Sequence, residues 1–253
     1  MKLKLALFFC GWFYLTTLVA QDASTLVQKG VDLNVMYRNE ADFFIGANTE
    51  GFDIGYRRAK HLNGFRKAVW EFEGLNKKAE KQTAITNANP SYQSPKSYNF
   101  GELNDLYIFR IGYGFQQVKF RKAERKSVEI RYSLYGGLSL GFLKPVYLEI
   151  IPPATNVPII VAYNPNDPVQ IQDNIYGGAP FLDGFNKMSI VPGGYCKFAI
   201  SFEYGDNRPD IKAIEVGTTV DAFPIVMPQM AFSKNYQVFP SLYVDFVFGK
   251  KWF

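Results

Sequence analysis

A regular alternation of apolar and polar residues dominates residues 128–142. One face of this segment is apolar and consists of Val128, Ile130, Tyr132, Leu134, Leu138, Leu140 and Phe142. The opposite face is polar or small and includes Glu129, Arg131, Ser133, Tyr135 and Ser139. A repeat of two residues is the mark of a β-strand with two unlike faces. Soluble strands rarely run this long, whereas a tilted membrane strand of about ten residues with an overhang does.

The same alternation recurs in seven further segments, which brings the predicted strand count to eight. The seven segments are 41–48, 52–57, 67–73, 107–116, 197–204, 214–222 and 242–249. Aromatic residues make up 17% of the chain and suit half-buried pleated surfaces. We therefore predict an all-β fold, an eight-stranded antiparallel up-and-down transmembrane β-barrel with long extracellular loops.

The lengths of the connections support an up-and-down barrel. Short polar connections near residues 60–63, 119–127 and 205–210 alternate with long ones at 76–102, 144–186 and 227–238. Outer-membrane barrels combine short periplasmic turns with longer extracellular loops, so both termini are predicted on the periplasmic side. Thr49 and Glu50 form a tight turn where an outer loop is expected, which makes the first hairpin the exception. The alternative is a secreted β-sandwich, disfavoured because the apolar face is rich in aromatics on every strand.

The N-terminus predicts export. Lys2 and Lys4 precede an apolar run that ends at Ala20, and polar Gln21 follows. This order is that of a cleaved signal peptide. A membrane anchor is the alternative, but a helical span needs about 20 apolar residues. The domain prediction is a signal peptide at 1–20, a periplasmic segment at 21–40 and a barrel at 41–253.

The polar faces of the predicted strands carry many charges that would point into the barrel. The members predicted to form a polar network in the lumen are Arg57, Glu71, Arg110, Glu129, Arg131, Glu203, Glu215, Asp221 and Asp245. An eight-stranded barrel is just wide enough for side chains to fill it. Opposite charges in such a space must pair. A packed network is therefore favoured over a proton or ion path.

No residue constellation points to catalysis, a metal site or a cofactor. His61 is the single histidine and lies in a predicted solvated turn, without a partner serine. Cys196 falls on the lipid-facing side, and no His/Cys cluster has metal-ligand spacing. No basic cluster argues for nucleic acid, since the net charge of +5 includes Lys2 and Lys4 of the leader. We predict that the protein is not an enzyme.

The long loop at 144–186 is the predicted contact region. Its residues Ile159, Ile160, Val161 and Tyr163 are too apolar for a loop that is free in water. Two outcomes are open: the segment folds back over the barrel mouth, or it docks on a partner. Loops of this length are usually functional or disordered.

Three segments resemble a family of uncharacterised small outer-membrane barrels from Bacteroidota. They are 36–40 (MYRNE), 48–58 (NTEGFDIGYRR) and 136–150 (GGLSLGFLKPVYLEI). The resemblance implies no catalytic residues. Similar barrels of these bacteria serve as accessory subunits of envelope machines, including outer-membrane protein assembly and type IX secretion. The resemblance therefore implies contact with outer-membrane lipid and with larger outer-membrane protein partners.

Three functional hypotheses follow. The first is a non-enzymatic accessory or structural subunit of an envelope protein complex. The second is a stand-alone surface barrel that binds a ligand or mediates adhesion through the loops at 76–102 and 144–186. The third is a small channel.

Overall fold

A computed structural model describes residues 37–79, 82–87, 89, 94–122, 127–204 and 209–253 of the chain. The predicted signal peptide at 1–20 lies outside the described residues, as do residues 21–36 of the predicted periplasmic segment. No helix in the described ranges is long and apolar enough to cross a membrane.

Eight long strands close into one antiparallel barrel, which confirms the predicted fold class. Their bounds are β1 Asn39–Asn48, β2 Gly51–His61, β3 Arg66–Lys77, β6 Asn104–Phe120, β7 Glu129–Pro145, β11 Ser189–Glu203, β12 Asp210–Met227 and β13 Tyr236–Trp252. Around the wall the order is β1-β13-β12-β11-β7-β6-β3-β2, so each strand pairs with its neighbours along the chain. The tight turn at Thr49 and Glu50 joins β1 and β2 with Asn48 opposite Gly51, as the alternation predicted.

The first and last strands close the wall. β1 and β13 run antiparallel from the pair Asn39–Trp252 to the pair Asn48–Tyr243. Two further backbone bonds extend this seam, from Arg38 N to Trp252 O at 3.0 Å and from Thr49 N to Leu242 O at 2.9 Å. The seam leaves neither strand with an open edge, which is the condition for a sheet in lipid.

Several predicted boundaries differ from the structure. The barrel begins at Asn39 instead of residue 41, which moves Glu40 from the predicted periplasmic segment into β1. The strands extend into all three predicted loops, because β3 ends at Lys77, β7 ends at Pro145 and β13 begins at Tyr236. Residues 146–188 are also not a bare loop, since they contain three further strands. Alternation weakens where a strand leaves the apolar layer, so a pattern search ends each strand too early.

The wall has an apolar outside. Its inside is charged at mid-height and apolar near the long connections, where Leu106, Ile108, Leu143, Phe223, Met227 and Phe239 are buried. In β13, outward Leu242, Val244, Phe246 and Phe248 are 43–64% exposed, whereas inward Asp245 is 0% exposed. The remaining barrel strands alternate in the same sense. Soluble proteins place apolar residues inside and polar residues outside. The reverse arrangement seen here is that of a barrel that spans a membrane.

Five short strands form a separate layer at the end of the barrel that bears the long connections. They are β4 Ala84–Ile85, β5 Tyr98–Asn99, β8 Tyr147–Ile150, β9 Ile159–Ala162 and β10 Ile175–Gly178. β4 pairs with β5, while β10, β8 and β9 form a three-stranded sheet in that order. We call these five strands and their connections the outer subdomain. Its core consists of Tyr98, Leu148, Ile150 and Ile175.

Candidate functional site: the barrel interior and the outer subdomain

Arg57 lies at the centre of the barrel interior. Its Nε donates to Glu71 Oε2 at 2.7 Å, and its two terminal nitrogens donate to Glu215 at 3.0 and 2.8 Å. The fork of the guanidinium matches the two carboxylate oxygens of Glu215, which gives a bidentate pair. Asp245 Oδ2 lies 3.8 Å from the same guanidinium. Arg57 also stacks over the Phe44 ring at 4.2 Å, so the cation is enclosed on several sides.

A second cluster forms around Arg110. This side chain bonds Glu73 at 2.8 Å and pairs with both carboxylate oxygens of Asp221. Ser139 Oγ donates to Asp221 Oδ1 at 2.7 Å. Lys197 connects the two clusters, because its ammonium lies 3.0 Å from Glu73 and 3.5 Å from Glu71.

A third cluster lies nearer the end that holds the termini. Arg131 pairs with Glu203, with Glu129 at 2.6 Å and with Glu40 at 3.4 Å. Lys67 bonds Glu40 Oε1 at 2.5 Å. The structure therefore brings all nine predicted lumen residues into contact with an opposite charge. Glu129 is the least enclosed of them, since its side chain is 17% exposed.

Sequence reasoning missed several members of this network. Glu40 and Asp42 lie on β1 and are both buried, but the strand was predicted to start too late to include the first of them. His61 was predicted in a solvated turn, whereas it ends β2 with Nε2 3.4 Å from Glu40 Oε2. The signal was present, because extending the alternation of β1 upstream places Glu40 and Asp42 on the face opposite Phe43.

The described interior is filled. Glu71, Glu215, Asp221 and Asp245 are all 0% exposed, so the surrounding side chains cover this layer completely. Aromatic side chains occupy the space between the charges, including Phe44, Tyr135, Tyr195 and Tyr243. Within the described ranges, no group of three or more His, Cys, Asp or Glu residues is arranged to hold a metal ion.

The outer subdomain is built like a small soluble domain. Asn87 ties its connections together by donating from Nδ2 to the carbonyl oxygens of Gln172 at 2.9 Å and Ile175 at 2.7 Å. Lys96 bonds Glu149 at 2.9 Å, and this hydrogen bond raises the pKa of the lysine. Burial raises the pKa of Tyr98 to about 12. The subdomain is thus stabilised by the hydrogen bonds of Asn87, the ion pair of Lys96 with Glu149 and the apolar core.

The predicted contact residues divide between two environments. Val161 and Tyr163 pack against the core of the outer subdomain, so they are structural. Ile159 and Ile160 are 41% and 49% exposed on β9, which is an edge strand of its sheet. The apolar run is explained in part by internal packing, because half of it covers the core around Leu148 and Ile150.

Glu102 lies where the outer subdomain meets the barrel. Its carboxylate accepts from Gln82 Nε2 at 2.7 Å and from Asn99 Nδ2 at 2.8 Å. Burial raises the pKa of Glu102 to about 7, and the nearby charge of Asp105 adds to the effect. This carboxyl group therefore changes its charge near neutral pH.

Comparisons with known proteins give structural likeness alone. No family model and no curated protein matches the sequence. Among solved structures, the chain is similar to the attachment invasion locus protein Ail of Yersinia pestis, with a TM-score of 0.38 and 7% identity over 86% of this chain and 100% of that chain. It is also similar to the N-terminal β-barrel domain of Pseudomonas aeruginosa OprF, with a TM-score of 0.31 and 9% identity over 84% of this chain and 98% of that chain.

Likeness at this level carries no argument about function, and the barrel assignment stands on the strand pairing. The resemblance to a Bacteroidota family stays a prediction.

Proposed function

We propose that this chain is an exported, integral outer-membrane barrel that serves as a non-enzymatic accessory or structural subunit of an envelope protein complex. Its partners would be outer-membrane lipid and a larger outer-membrane protein. That protein would belong to the machinery of outer-membrane protein assembly or of type IX secretion. The observation that carries the proposal is a closed wall with an apolar exterior and a fully packed charged interior. Such a wall suits a scaffold in lipid and offers no path for a solute.

The outer subdomain supports contact with a protein partner. β9 lies at the edge of its sheet, so its outer backbone groups are available to an added strand. Ile159 and Ile160 on this strand are exposed to water, which is costly for a surface that stays uncovered. Covering both with a partner would remove apolar area from water and pair the edge.

Crosslinking of native membranes followed by mass spectrometry tests the accessory role. We expect crosslinks from Lys187 and Lys234, which are exposed at this end, to one larger barrel protein. Substitution Ile160→Lys should reduce those crosslinks, whereas Ile171→Lys, at a similarly exposed isoleucine outside β9, should retain them. Recovery of the chain as a lone monomer under every crosslinking condition would refute the accessory role.

A stand-alone surface barrel that binds a ligand or mediates adhesion is the second candidate. It is favoured by the independent core of the outer subdomain, because a folded surface module can present a binding face by itself. Replacing residues 146–188 with a short turn should leave the barrel folded and abolish binding. Retention of binding by the truncated protein would exclude this candidate.

The channel hypothesis is disfavoured by the filled interior. Planar bilayer recordings of the purified barrel should therefore be silent. Stable unitary currents from the purified barrel would favour a channel and would refute the packed-scaffold proposal.

A further inference from the structure

Two cations flank a small residue on the outer surface of the wall, near the end that holds the termini. The strand register places Lys250 of β13 opposite Ala41 of β1, and Ala41 opposite Arg58 of β2. Lys250 and Arg58 are exposed, and Lys60 lies two residues further along β2 on the same face. Adjacent strands are about 4.8 Å apart, so the two cationic positions are about 10 Å apart across Ala41.

The row beside this one, toward the middle of the wall, is aromatic. Phe248, Phe43 and Tyr56 follow one another across the same three strands, and Phe72 of β3 continues the row. Phe43 is 64% exposed and its ring lies 5.0 Å from that of Tyr56. The surface therefore changes from aromatic to cationic over two residues along each strand. Such a change is typical of the boundary between the hydrocarbon core and the headgroups of a bilayer.

The opposite end of the same three strands has no such cations. There Val244, Ala47 and Phe52 occupy the corresponding outward row. A small alanine is again at the centre, but its neighbours are apolar. The cationic row is thus a property of one end of the wall and not of the strands as such.

The cations of the row are available to an external anion. Among the described residues, Lys250, Arg58 and Lys60 take part in none of the salt bridges of the structure. In the part of the chain that the structure describes, the acidic residue beside the row is Asp210, which pairs in register with Lys250 on the side away from Ala41. A phosphate oxygen over Ala41 can accept hydrogen bonds from a guanidinium and an ammonium at once.

We propose that Lys250 and Arg58 bind the phosphate of an anionic glycerophospholipid over Ala41, with its acyl chains against Phe43 and Phe248. The small side chain of Ala41 leaves room for the headgroup between the two longer ones. A lipid satisfies both rows, because its phosphate lies at the level of the cations and its chains lie at the level of the aromatics. The site is independent of any protein partner, so its test is separate from that of the accessory role.

Native mass spectrometry of the refolded full-length mature barrel tests the site. The barrel is released from detergent after incubation with phosphatidylglycerol or with phosphatidylcholine of the same chain length. We expect preferential retention of phosphatidylglycerol, which weakens as salt is raised because the attraction is electrostatic. The double variant Arg58→Gln with Lys250→Gln should lower this retention roughly 25-fold, since each surface cation contributes about fivefold to the affinity for an anionic lipid.

Two matched variants separate a site from a general charge effect. Lys78→Gln with Lys187→Gln removes two exposed cations at the opposite end and should retain phosphatidylglycerol as the unchanged protein does. Ala41→Phe keeps every charge and fills the space between Lys250 and Arg58, so it should lower retention as the double variant does. Folding of each variant is checked by the change in gel mobility on boiling.

The proposal is overturned by either of two results. Equal retention of the two lipids by the unchanged barrel would show that no anionic site exists. Equal loss in the two double variants, with no loss in Ala41→Phe, would show that total charge acts and that the row does not.

Discussion

The barrel and the outer subdomain are built from the same kind of strand but have opposite cores. At mid-height, the buried layer of the barrel is Arg57, Glu71, Glu215 and their ion-paired neighbours, while a buried apolar cluster that includes Leu106, Phe223 and Met227 lies nearer the end with the long connections. Inside the outer subdomain, the buried layer is Tyr98, Leu148, Ile150 and Ile175. The same chain thus contains a charged core in the middle of the barrel and an apolar core in the outer subdomain.

The difference follows from what surrounds each region. A strand in lipid gains by turning apolar side chains outward, which leaves its polar face to be satisfied internally. A strand in water gains by turning its apolar side chains inward. The solvent around each region therefore decides which face of its strands is apolar.

Removal of the central cation should have the largest effect on this comparison. Arg57→Gln leaves Glu71 and Glu215 without their shared partner in a layer that water does not reach. Breaking a buried ion pair on one side costs about 3–5 kcal/mol. We expect a loss of that size in the free energy of unfolding, measured by urea titration in lipid vesicles.

The neighbouring arginine is the control for this substitution. Arg58 lies on the same strand but points outward and is exposed. In vesicles of phosphatidylcholine, which lack the anionic lipid proposed to bind Arg58, Arg58→Gln should change the free energy of unfolding by less than about 0.5 kcal/mol. Equal losses of the free energy of unfolding in the two variants would mean that the charged interior does not stabilise the barrel.

Truncation of the apolar core should affect the outer subdomain and spare the barrel. Ile175 is 0% exposed, and Ile175→Ala should cost about 2–5 kcal/mol locally. We expect rapid proteolysis within residues 146–188 while the barrel still changes its gel mobility on boiling. Ile171→Ala is the control, since Ile171 is 51% exposed. Unfolding of the barrel by Ile175→Ala would show that the two cores are one.

A charge on the outer face tests which solvent surrounds the wall. Ile54 is 61% exposed in the middle row of β1, β2 and β13, so Ile54→Lys should cost about 2–4 kcal/mol if the row lies in hydrocarbon. Leu62, which is 62% exposed in a turn, should accept lysine at a cost of less than about 0.5 kcal/mol. Unfolding titrations in vesicles compare the two, and a tolerated Ile54→Lys would mean that water surrounds the wall.

The smallest effect concerns the junction of the two regions. The pKa of Glu102 is about 7 in the folded state, whereas the ordinary value of 4.5 applies to the unfolded chain. The folded state therefore binds more protons between these values, and local stability falls as pH rises from about 4.5 to 7. Hydrogen exchange of residues 94–104, corrected for intrinsic rates, should show this fall.

Glu102→Gln should flatten the pH profile at the junction, because the amide keeps the shape of the side chain and does not titrate. Asp105 and Lys144, which form an ion pair at 2.8 Å beside it, remain in place as the other charged groups of this region. An unchanged profile in the variant would show that Glu102 is not the source of the pH dependence.

Much of the barrel could be predicted from the sequence because alternation reports directly on the two faces of a strand. Residues 128–142 and 242–248 have the predicted sides inward and outward. The strand ends could not be predicted, because Lys77 and Pro145 break the apolar pattern while the backbone pairing continues. Glu40 lies outside the predicted first strand for the same reason, because the backbone pairing of β1 continues beyond the apolar pattern.

The outer subdomain could be predicted much less well. Its strands have between two and four residues, which is too short for a period to be recognised. Its sheet also joins β10 to β8 across a long intervening segment, and a local pattern contains no information on such a pairing. The apolar run at 159–163 indicated that these side chains are covered. The structure shows that Val161 and Tyr163 pack against the core of the outer subdomain.

The seam between β1 and β13 places a condition on biosynthesis. Of the eight wall strands, the two that complete the cylinder are the first and the last to be synthesised, so the wall cannot close until β13 has been made. A chain that stopped before β13 would present two unpaired edges, on β1 and β12, to other strands. We therefore expect nonsense mutations just before β13 to be as damaging as those near β1.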